Sequence, residues 1–523
     1  MDAAVLASGI PVLGICYGQQ LVTHLLGGEV RPGNKGEYGL AILDRLNGAS
    51  SILNGVRDHQ QIWMSHKDTV AVPPAGFSVL ATTATCEIAA IEDAVRKIHC
   101  VQFHPEVVHT TEGGRVLRNF VFDICGCEED WHAGERVALV EEQIRKQAGD
   151  RSVFFFVSGG VDSTVAFTLC LRALGSDRVR GVYVDTGLMR EGETDFVERT
   201  FERLGHGIVG IERAEAEFLS PLETARDPEN KRHIIGEQFV LVQERIIKSR
   251  GLLGSNWVLG QGTIYPDTIE SGGTAQSATI KTHHNRVPGI QKLIDEGRII
   301  EPLSDFYKDE VRAIGRQLGL PAELLDRHPF PGPGLAIRCL CAEADEPVSQ
   351  TSEGWLIPVK SVGVQGDFRS YANVLAIGER RQDLATEIIN RIAGINRVVA
   401  VVASRSPMAE QQVFASTITR ARLDLLRTAD FIVRQISLSS GFDSLVWQFP
   451  VILIPLGSPG DKGEAHDSVV LRPIQSVDGM TADSVTMPDA LLSEMSARLM
   501  AIPAIAGVYY DLTHKPPGTI EWE

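Results

Sequence analysis

Cysteine is scarce: eight residues in 523, with no Cys-x-x-Cys pair. Cys125-x-Cys127 and Cys339-x-Cys341 have the wrong spacing for a zinc ribbon. Eight thiols spread over so long a chain do not make a disulfide scaffold. Long apolar runs are missing as well. The longest, Val153–Val157 and Val398–Ala403, have the length of core strands and fall far short of the ~18 residues of a membrane-spanning helix. Basic residues are outnumbered, 50 Lys and Arg against 67 Asp and Glu, for a net charge of −17. A field of that sign repels a polyanion and argues against nucleic acid, while small anions can still be held by local Arg and Lys. The start, Met1-Asp2-Ala3-Ala4-Val5-Leu6, has no basic region, and Gly9 and Pro11 interrupt its apolar stretch, so no signal peptide is read. These absences lead to the expectation of a cytoplasmic, reducing setting without a membrane partner.

What is present suits a globular chain: 43% apolar and 22% charged residues. At ~150 residues per domain the length suggests three to four domains. The first block, residues 1–127, alternates short apolar runs with turn signals and ends in the charged stretch Gly126-Cys127-Glu128-Glu129-Asp130. The second, 137–340, reads as strand and helix in turn: Val153–Val157, Ser163–Leu174, Val179–Val184, Glu193–Leu204, Glu229–Arg250 and Trp257–Leu259. That alternation predicts a doubly wound parallel sheet covered on both faces. The third, 341–523, reads as α+β with a weak repeat. Leu356-Ile357-Pro358-Val359 opens one copy and Leu453-Ile454-Pro455-Leu456 the other, which suggests two similar lobes.

Two motifs carry chemistry. Gly14-Ile15-Cys16-Tyr17-Gly18 follows an apolar strand and precedes a helical segment, the context of a nucleophile elbow in which small residues flank a strained turn. A thiolate there gains from the helix N-terminus. Further on, Cys100-Val101-Gln102-Phe103-His104-Pro105-Glu106 runs off a strand into a base and an acid. His104 can take the thiol proton and Glu106 can hold the imidazole tautomer. The second motif, Ser158-Gly159-Gly160-Val161-Asp162-Ser163-Thr164, is a Gly-rich turn between strand and helix. Its N–H groups, hydroxyls and helix N-terminus suit a phosphate, and Asp162 suits Mg²⁺. It lacks the Lys-Ser/Thr ending of the P-loop.

The elbow resembles that of the class I glutamine amidotransferases, and the Ser-Gly-Gly-x-Asp-Ser loop resembles that of the ATP pyrophosphatases. Further motifs extend the resemblance over nearly the whole chain: Lys231–Gly236, Gln261–Asp267, Lys281–Asn285, Arg327–Gly334 and Lys515–Glu523. In that order they are similar to the glutamine-hydrolysing GMP synthetase family. NAD synthetases and tRNA-thiolating enzymes share the loop but not the third block.

The resemblance implies an α/β architecture. A parallel-sheet amidotransferase domain is followed by a doubly wound pyrophosphatase domain, then by an α+β C-terminal domain with two repeated lobes. It also implies an enzyme, a ligase forming a C–N bond. Glutamine supplies ammonia at Cys16, His104 and Glu106. ATP, bound with Mg²⁺ at Ser158, Gly159, Gly160, Val161, Asp162, Ser163 and Thr164, adenylates xanthosine 5′-monophosphate (XMP). Ammonia then displaces AMP to give GMP. The XMP site falls on Arg232, Asp367, Arg369, Gln448, Lys515 and Glu521. Lys308 is a further candidate for phosphate. The repeat leads to the expectation of a monomer, with a homodimer as the alternative.

Amidotransferase domains of this class carry strands and a Gly-Gly loop ahead of the elbow, whereas this chain reaches Cys16 at once. The resemblance therefore implies a first domain lacking its first strands, with the strand Pro11–Ile15 short of neighbours. The oxyanion hole keeps its donor at Tyr17 and loses its second. Weak or no glutaminase and retained ammonia-dependent synthesis are then expected. A non-catalytic nucleotide-sensing homologue is the other reading.

Overall fold

The computed structural model describes residues 2–45, 50–107, 109–130, 136–205, 207–254, 256–267, 288–365, 368–459, 467–476 and 481–523. The side chains of 33–36, 38, 364, 365, 368, 369 and 390 are also outside the description. The motif Lys281–Asn285 and the candidate Asp367 therefore lie outside the described residues, as does the side chain of Arg369. The chain divides into two units, Met1–Trp131 and His132–Glu523.

The first unit is built on β1 (Val12–Ile15), β2 (Glu29–Arg45), β3 (Gln60–Val72), β4 (Ser78–Thr82), β5 (Ala90–Asp93) and β6 (Ile98–Val101), with helix α1 (Tyr17–Leu25) after β1. The sheet is mixed and ordered β1-β6-β5-β4-β2-β3. β1 and β6 run parallel from Val12↔Ile98 to Ile15↔Val101, and the other pairs are antiparallel. β1 is paired along its whole length by the fully buried β6, but among the described residues it is the edge of the sheet with that one neighbour, and Val12, Leu13 and Ile15 are only half-buried, in line with the expectation of a first strand short of neighbours. β2 was not legible in the sequence. Pro32, Gly33 and Gly36 disguise it, and an irregularity in register between Pro32 and Glu37 absorbs them.

In the second unit, β7 (Ser152–Val157), β8 (Val179–Asp185), β9 (Val209–Arg213), β10 (Trp257–Gly260) and β11 (Ile299–Ile300) form an all-parallel sheet ordered β11-β10-β7-β8-β9. The order reverses between β7 and β10, and that switch point opens a crevice at the carboxyl ends of the two strands. Alternation along β7 covers both faces. Val153, Phe155 and Val157 pack against α3 (Val137–Ala148), α4 (Val161–Leu174) and α5 (Glu193–Leu204). Phe154 packs in the other core, which includes Phe218 of α6 (Glu215–Leu222) and Ile235, Val242 and Ile246 of α7 (Pro228–Ser249). The same core continues through Leu375, Val398 and Val508, so the second and third blocks share buried apolar contact. α7 starts where Asp227 accepts from Asn230 N–H at 2.8 Å, with Pro228 in the first turn.

The third block carries a seven-stranded sheet in the order Ser349–Gln350, Trp355–Gln365, Phe368–Ile377, Ile395–Ser404, Ile505–Asp511, Asp467–Leu471, Val451–Ile454. The repeat is visible in it. Each copy is an antiparallel pair, a helix (Gln382–Arg391 or Asp489–Met500) and a third strand parallel to the second. The two copies meet where Ile395–Ser404 runs antiparallel to Ile505–Asp511. They share one continuous sheet, because each third strand satisfies the other's edge hydrogen bonds.

Candidate functional site

In the first unit, Cys16 ends β1 with φ 50° and ψ −106°. A side chain rarely adopts this region, and it is held where a neighbouring structure over-determines it. Here Cys16 N–H donates to Val101 O at 2.8 Å, tying the elbow to the end of β6. Gly14 allows the tight return: a Cβ there would meet the Gly18 backbone at 2.9 Å and Cys100 Sγ at 3.0 Å. Because β1 and β6 are parallel neighbours, the residues just past both strands share one edge. His104 is fixed there by its N–H to Trp63 O at 3.0 Å and by Thr110 Oγ1, which donates to its carbonyl at 2.6 Å.

Glu106 Oε1 lies 2.6 Å from His104 Nδ1. Nδ1 is thus occupied, and the buried Nε2, which has no hydrogen bond of ordinary geometry, is the nitrogen left for the thiol. The Cys16 thiol first, then Glu106, push the imidazole up to about 10, against an opposing effect of burial. Burial of Glu106 is outweighed by its bond to His104, which holds the carboxyl below its ordinary range. Two groups were missed in the sequence: Gln102 Nε2 reaches Cys16 Sγ at 3.6 Å, and Ser65 O accepts from the thiol at 3.6 Å. Gln102 follows from strand adjacency, since it succeeds Val101, the register partner of Ile15. Ser65 O carries no side-chain signal.

In the second unit, the Ser158–Thr164 loop leaves β7 at the switch point. Ser158 Oγ and Ser163 Oγ are 2.9 Å apart, and Thr164 Oγ1 donates to Gly160 O at 2.9 Å. The loop after β10 packs on it so closely that a Cβ at Gly262 would meet Ser163 N at 2.8 Å and Asp162 C at 2.9 Å. The start of α4 therefore lies against the loop that leaves β10, at the carboxyl ends of β7 and β10. Asp162 Oδ2 is 2.5 Å from Nζ of Lys308, the first residue of α8 (Lys308–Gln317). Among the described residues its Oδ1 is buried without a partner. A carboxylate with one free oxygen beside a phosphate cradle fits a hard cation that keeps most of its ligands as water and phosphate.

Two of the XMP candidates, Lys515 and Glu521, lie on the segment Thr513–Glu523, and Arg232 and Gln448 reach it from other elements. Arg338, fully buried, donates to Glu521 through two nitrogens at 2.9 and 2.7 Å, and Gln448 Nε2 adds 3.3 Å to Glu521 and 2.9 Å to Pro329 O. Burial would raise the Glu521 carboxyl, but Arg338 holds it below its ordinary range. Arg232 donates to the Glu523 carbonyl, and Lys231, fully buried, pairs with the Glu523 carboxylate. Lys515 is pinned by its backbone, N–H to Ala482 O at 2.7 Å and Ala482 N–H back at 3.0 Å. The strand leading to Asp367 and Arg369 lies alongside: Val362 N–H donates to Trp522 O at 2.8 Å, and Gly363 bridges Gly518.

The sequence reading missed what holds this segment. Arg397, Arg472 and Asp511, all fully buried, grip it. Arg472 donates to Ile520 O at 2.9 Å and Thr519 O at 2.8 Å, Arg397 to Thr519 O at 2.7 Å and Glu521 O at 2.9 Å. Arginines inside apolar strands were the available signal, because an unpaired cation is not buried there.

A strained Cys–His–Glu elbow and a Gly-rich strand-to-helix loop in one chain are the parts of a glutamine-dependent ligase, and the relatives of this chain are of that class. Residues 1–124 match the family described as glutamine amidotransferase class-I, 133–218 that described as NAD synthase, and 436–522 the GMP synthase C terminal domain. The chain is 42% identical over 542 residues to a probable glutamine-hydrolyzing GMP synthase of Leptospira interrogans, covering 98% of this chain and 88% of that protein. It is 38% identical over 528 residues to a glutamine-hydrolyzing GMP synthase of Geobacillus kaustophilus, covering 100% and 87%. The chain belongs to the glutamine-hydrolysing GMP synthase family.

Proposed function

We propose that Cys16, His104 and Glu106 release ammonia from glutamine, and that the Ser158–Thr164 loop and the segment Thr513–Glu523 hold ATP and XMP. The chain is a ligase that makes GMP from XMP with glutamine as nitrogen donor, in purine biosynthesis. The observation that carries this reading is the Cys16 elbow, with Nε2 of His104 left open by the Glu106 bond, in a chain that also bears the Ser158–Asp162 cradle.

In the first step His104 Nε2 takes the thiol proton, Sγ attacks the glutamine amide carbon, and the same imidazole returns the proton to the departing ammonia. Water then releases glutamate. In the second unit, loop amides and the α4 N-terminus hold the ATP phosphates, and Lys308 stands ready to exchange its Asp162 partner for a phosphate oxygen. Mg²⁺, when bound, offsets charge on the departing pyrophosphate, and Asp162 is the residue that would hold it. The XMP oxygen at C2 attacks the α-phosphorus and pyrophosphate leaves. Ammonia adds at C2 and AMP departs. Arg232 and Lys515 suit the 5′-phosphate of XMP, Gln448 and Glu521 its ribose or base, with Asp367 and Arg369 as further ligands.

The residues 1–127, 137–340 and 341–523 correspond in this reading to the amidotransferase, pyrophosphatase and C-terminal parts. The protein acts as a monomer, because the second copy of the repeat already covers the edge of the first. Eight free cysteines suit a cytoplasmic setting, and no helix among the described residues is long and apolar enough to cross a membrane. The test is an incubation with ATP, Mg²⁺ and XMP, with glutamine or ammonium as donor. GMP and AMP in equal amounts support the reading, and ATP turnover to ADP overturns it.

A further inference from the structure

Glu37 and His66 sit opposite each other across the β2–β3 ladder. Cys86, in the turn between β4 and β5, comes up beside them. The three residues place a carboxylate oxygen, a ring nitrogen and a sulfur all within 4.8 Å of one another. His66 and Cys86 are buried, and Glu37 is half-buried.

The hydrogen bonds fix the tautomer. His66 Nδ1 is 2.9 Å from Asp68 O. A carbonyl only accepts, so Nδ1 carries a proton. In the neutral ring Nε2 then bears a lone pair, and it lies 3.3 Å from Glu37 Oε2. The ring nitrogen and the carboxylate converge on one point, and a cation there, a second ring proton or a metal ion, joins them. A ring whose far nitrogen donates to a backbone carbonyl has the outer-sphere arrangement of metal-binding histidines. The other donors are oriented too. Thr83 Oγ1 donates to Glu37 Oε1 at 2.9 Å, and Thr69 Oγ1 is 3.6 Å from Cys86 Sγ. A divalent cation deprotonates the thiol it binds.

We propose that Glu37, His66 and Cys86 bind a thiophilic divalent ion of the Zn²⁺ class. Carboxylate and thiolate balance its two charges. The O, N, S donor set selects against Mg²⁺ and Ca²⁺, which take oxygen ligands. Bonds of about 2.0–2.3 Å in a tetrahedron separate ligand atoms by roughly 3.3–3.8 Å. The Nε2–Oε2 spacing already meets this, and the sulfur lies within 4.8 Å of both atoms. The fourth position falls to water. The site borders the nucleophile: His66 follows Ser65, whose carbonyl accepts from Cys16, and Asp68 O also receives Gln20 Nε2 at 2.8 Å. An occupied site stiffens the middle of β3 and so alters glutamine hydrolysis.

The test is a Co²⁺ titration of the metal-stripped full chain carrying Cys16→Ala, which removes the catalytic thiol as a ligand. One equivalent should bring up a near-ultraviolet thiolate-to-Co²⁺ band, which Zn²⁺ displaces. Cys86→Ser should abolish the band, and Cys125→Ser should leave it. Since each buried position can unfold on substitution, Glu37→Gln provides a second arm. Competition against a chromophoric chelator should show Zn²⁺ affinity lowered by more than about tenfold, a loss that even outer-sphere changes reach. A band that survives Cys86→Ser, or Zn²⁺ affinity unchanged in Glu37→Gln, overturns the proposal.

Discussion

Asp511→Asn tests how the Thr513–Glu523 segment is held. Asp511 is fully buried, and its Oδ2 accepts from Arg397 at 3.2 Å, Arg472 at 2.7 Å and Trp522 Nε1 at 2.8 Å. Asparagine keeps the shape and one carbonyl oxygen but removes the charge. Two guanidiniums are then buried without their carboxylate. Removing one partner of a buried pair costs about 3–5 kcal/mol. The carbonyls of Thr519, Ile520 and Glu521 continue to accept from the arginines, so this range covers the whole loss rather than each arginine separately. At about 2 °C per kcal/mol for a large domain, the melting temperature of the second unit should fall by roughly 6–10 °C. Calorimetry of the full chain reads it. The functional arm is the KM for XMP, which should rise because Lys515 and Glu521 ride on the loosened segment, while the KM for ATP changes much less. The pH dependence has a definite sign. Burial raises the Asp511 carboxyl, but Arg472 and Arg397 outweigh it and hold it below its ordinary value. The stabilisation is therefore complete above the unfolded value near 3.9 and lost as pH falls through the folded one. The gap between wild type and variant should narrow in acid. A melting shift below about 2 °C with an unchanged KM for XMP would falsify the argument.

Four further outcomes are expected. Cys16→Ala should lower glutamine-dependent synthesis by at least about 10³-fold and spare ammonia-dependent synthesis; equal loss with both nitrogen sources counts against the elbow. Lys515→Ala should cost about 1.5–3 kcal/mol of XMP binding, roughly a tenfold to hundredfold rise in KM, with ATP little affected; an unchanged KM refutes its role. Asp162→Asn should raise the Mg²⁺ concentration for half-maximal rate, and a Mg²⁺ profile identical to wild type removes Asp162 as its ligand. Light scattering in dilute solution should return 57.0 kDa, and twice that mass contradicts the monomer.

Where side chains and period agree, the sequence reading held. Glu193–Leu204 and the Val153–Val157 strand appear almost as read, because apolar spacing and Gly boundaries both mark them. β9 (Val209–Arg213) escaped notice because it is a half-buried edge with no alternation. The elbow and the phosphate loop were legible as local motifs. Their partners were not: Gln102 meets Cys16 only through the β1–β6 register, and Arg397 and Arg472 meet Thr519 from positions 122 and 47 residues away. Such contacts are set by sheet order, which local propensity does not encode.

The strand Ile505–Asp511 lies at the middle of the third-block sheet, between Ile395–Ser404 and Asp467–Leu471. It is also translated after both of them. Until it emerges, two apolar strands translated earlier stand with open edges, each a template for pairing with a neighbouring nascent chain. The enzyme's yield in a cell is thus tied to how long that interval lasts. A pause in translation shortly before this strand prolongs the exposure, and a chaperone that masks strand edges shortens its effect. Damage that removes these few residues takes out the centre of a sheet and leaves two half-sheets without their join.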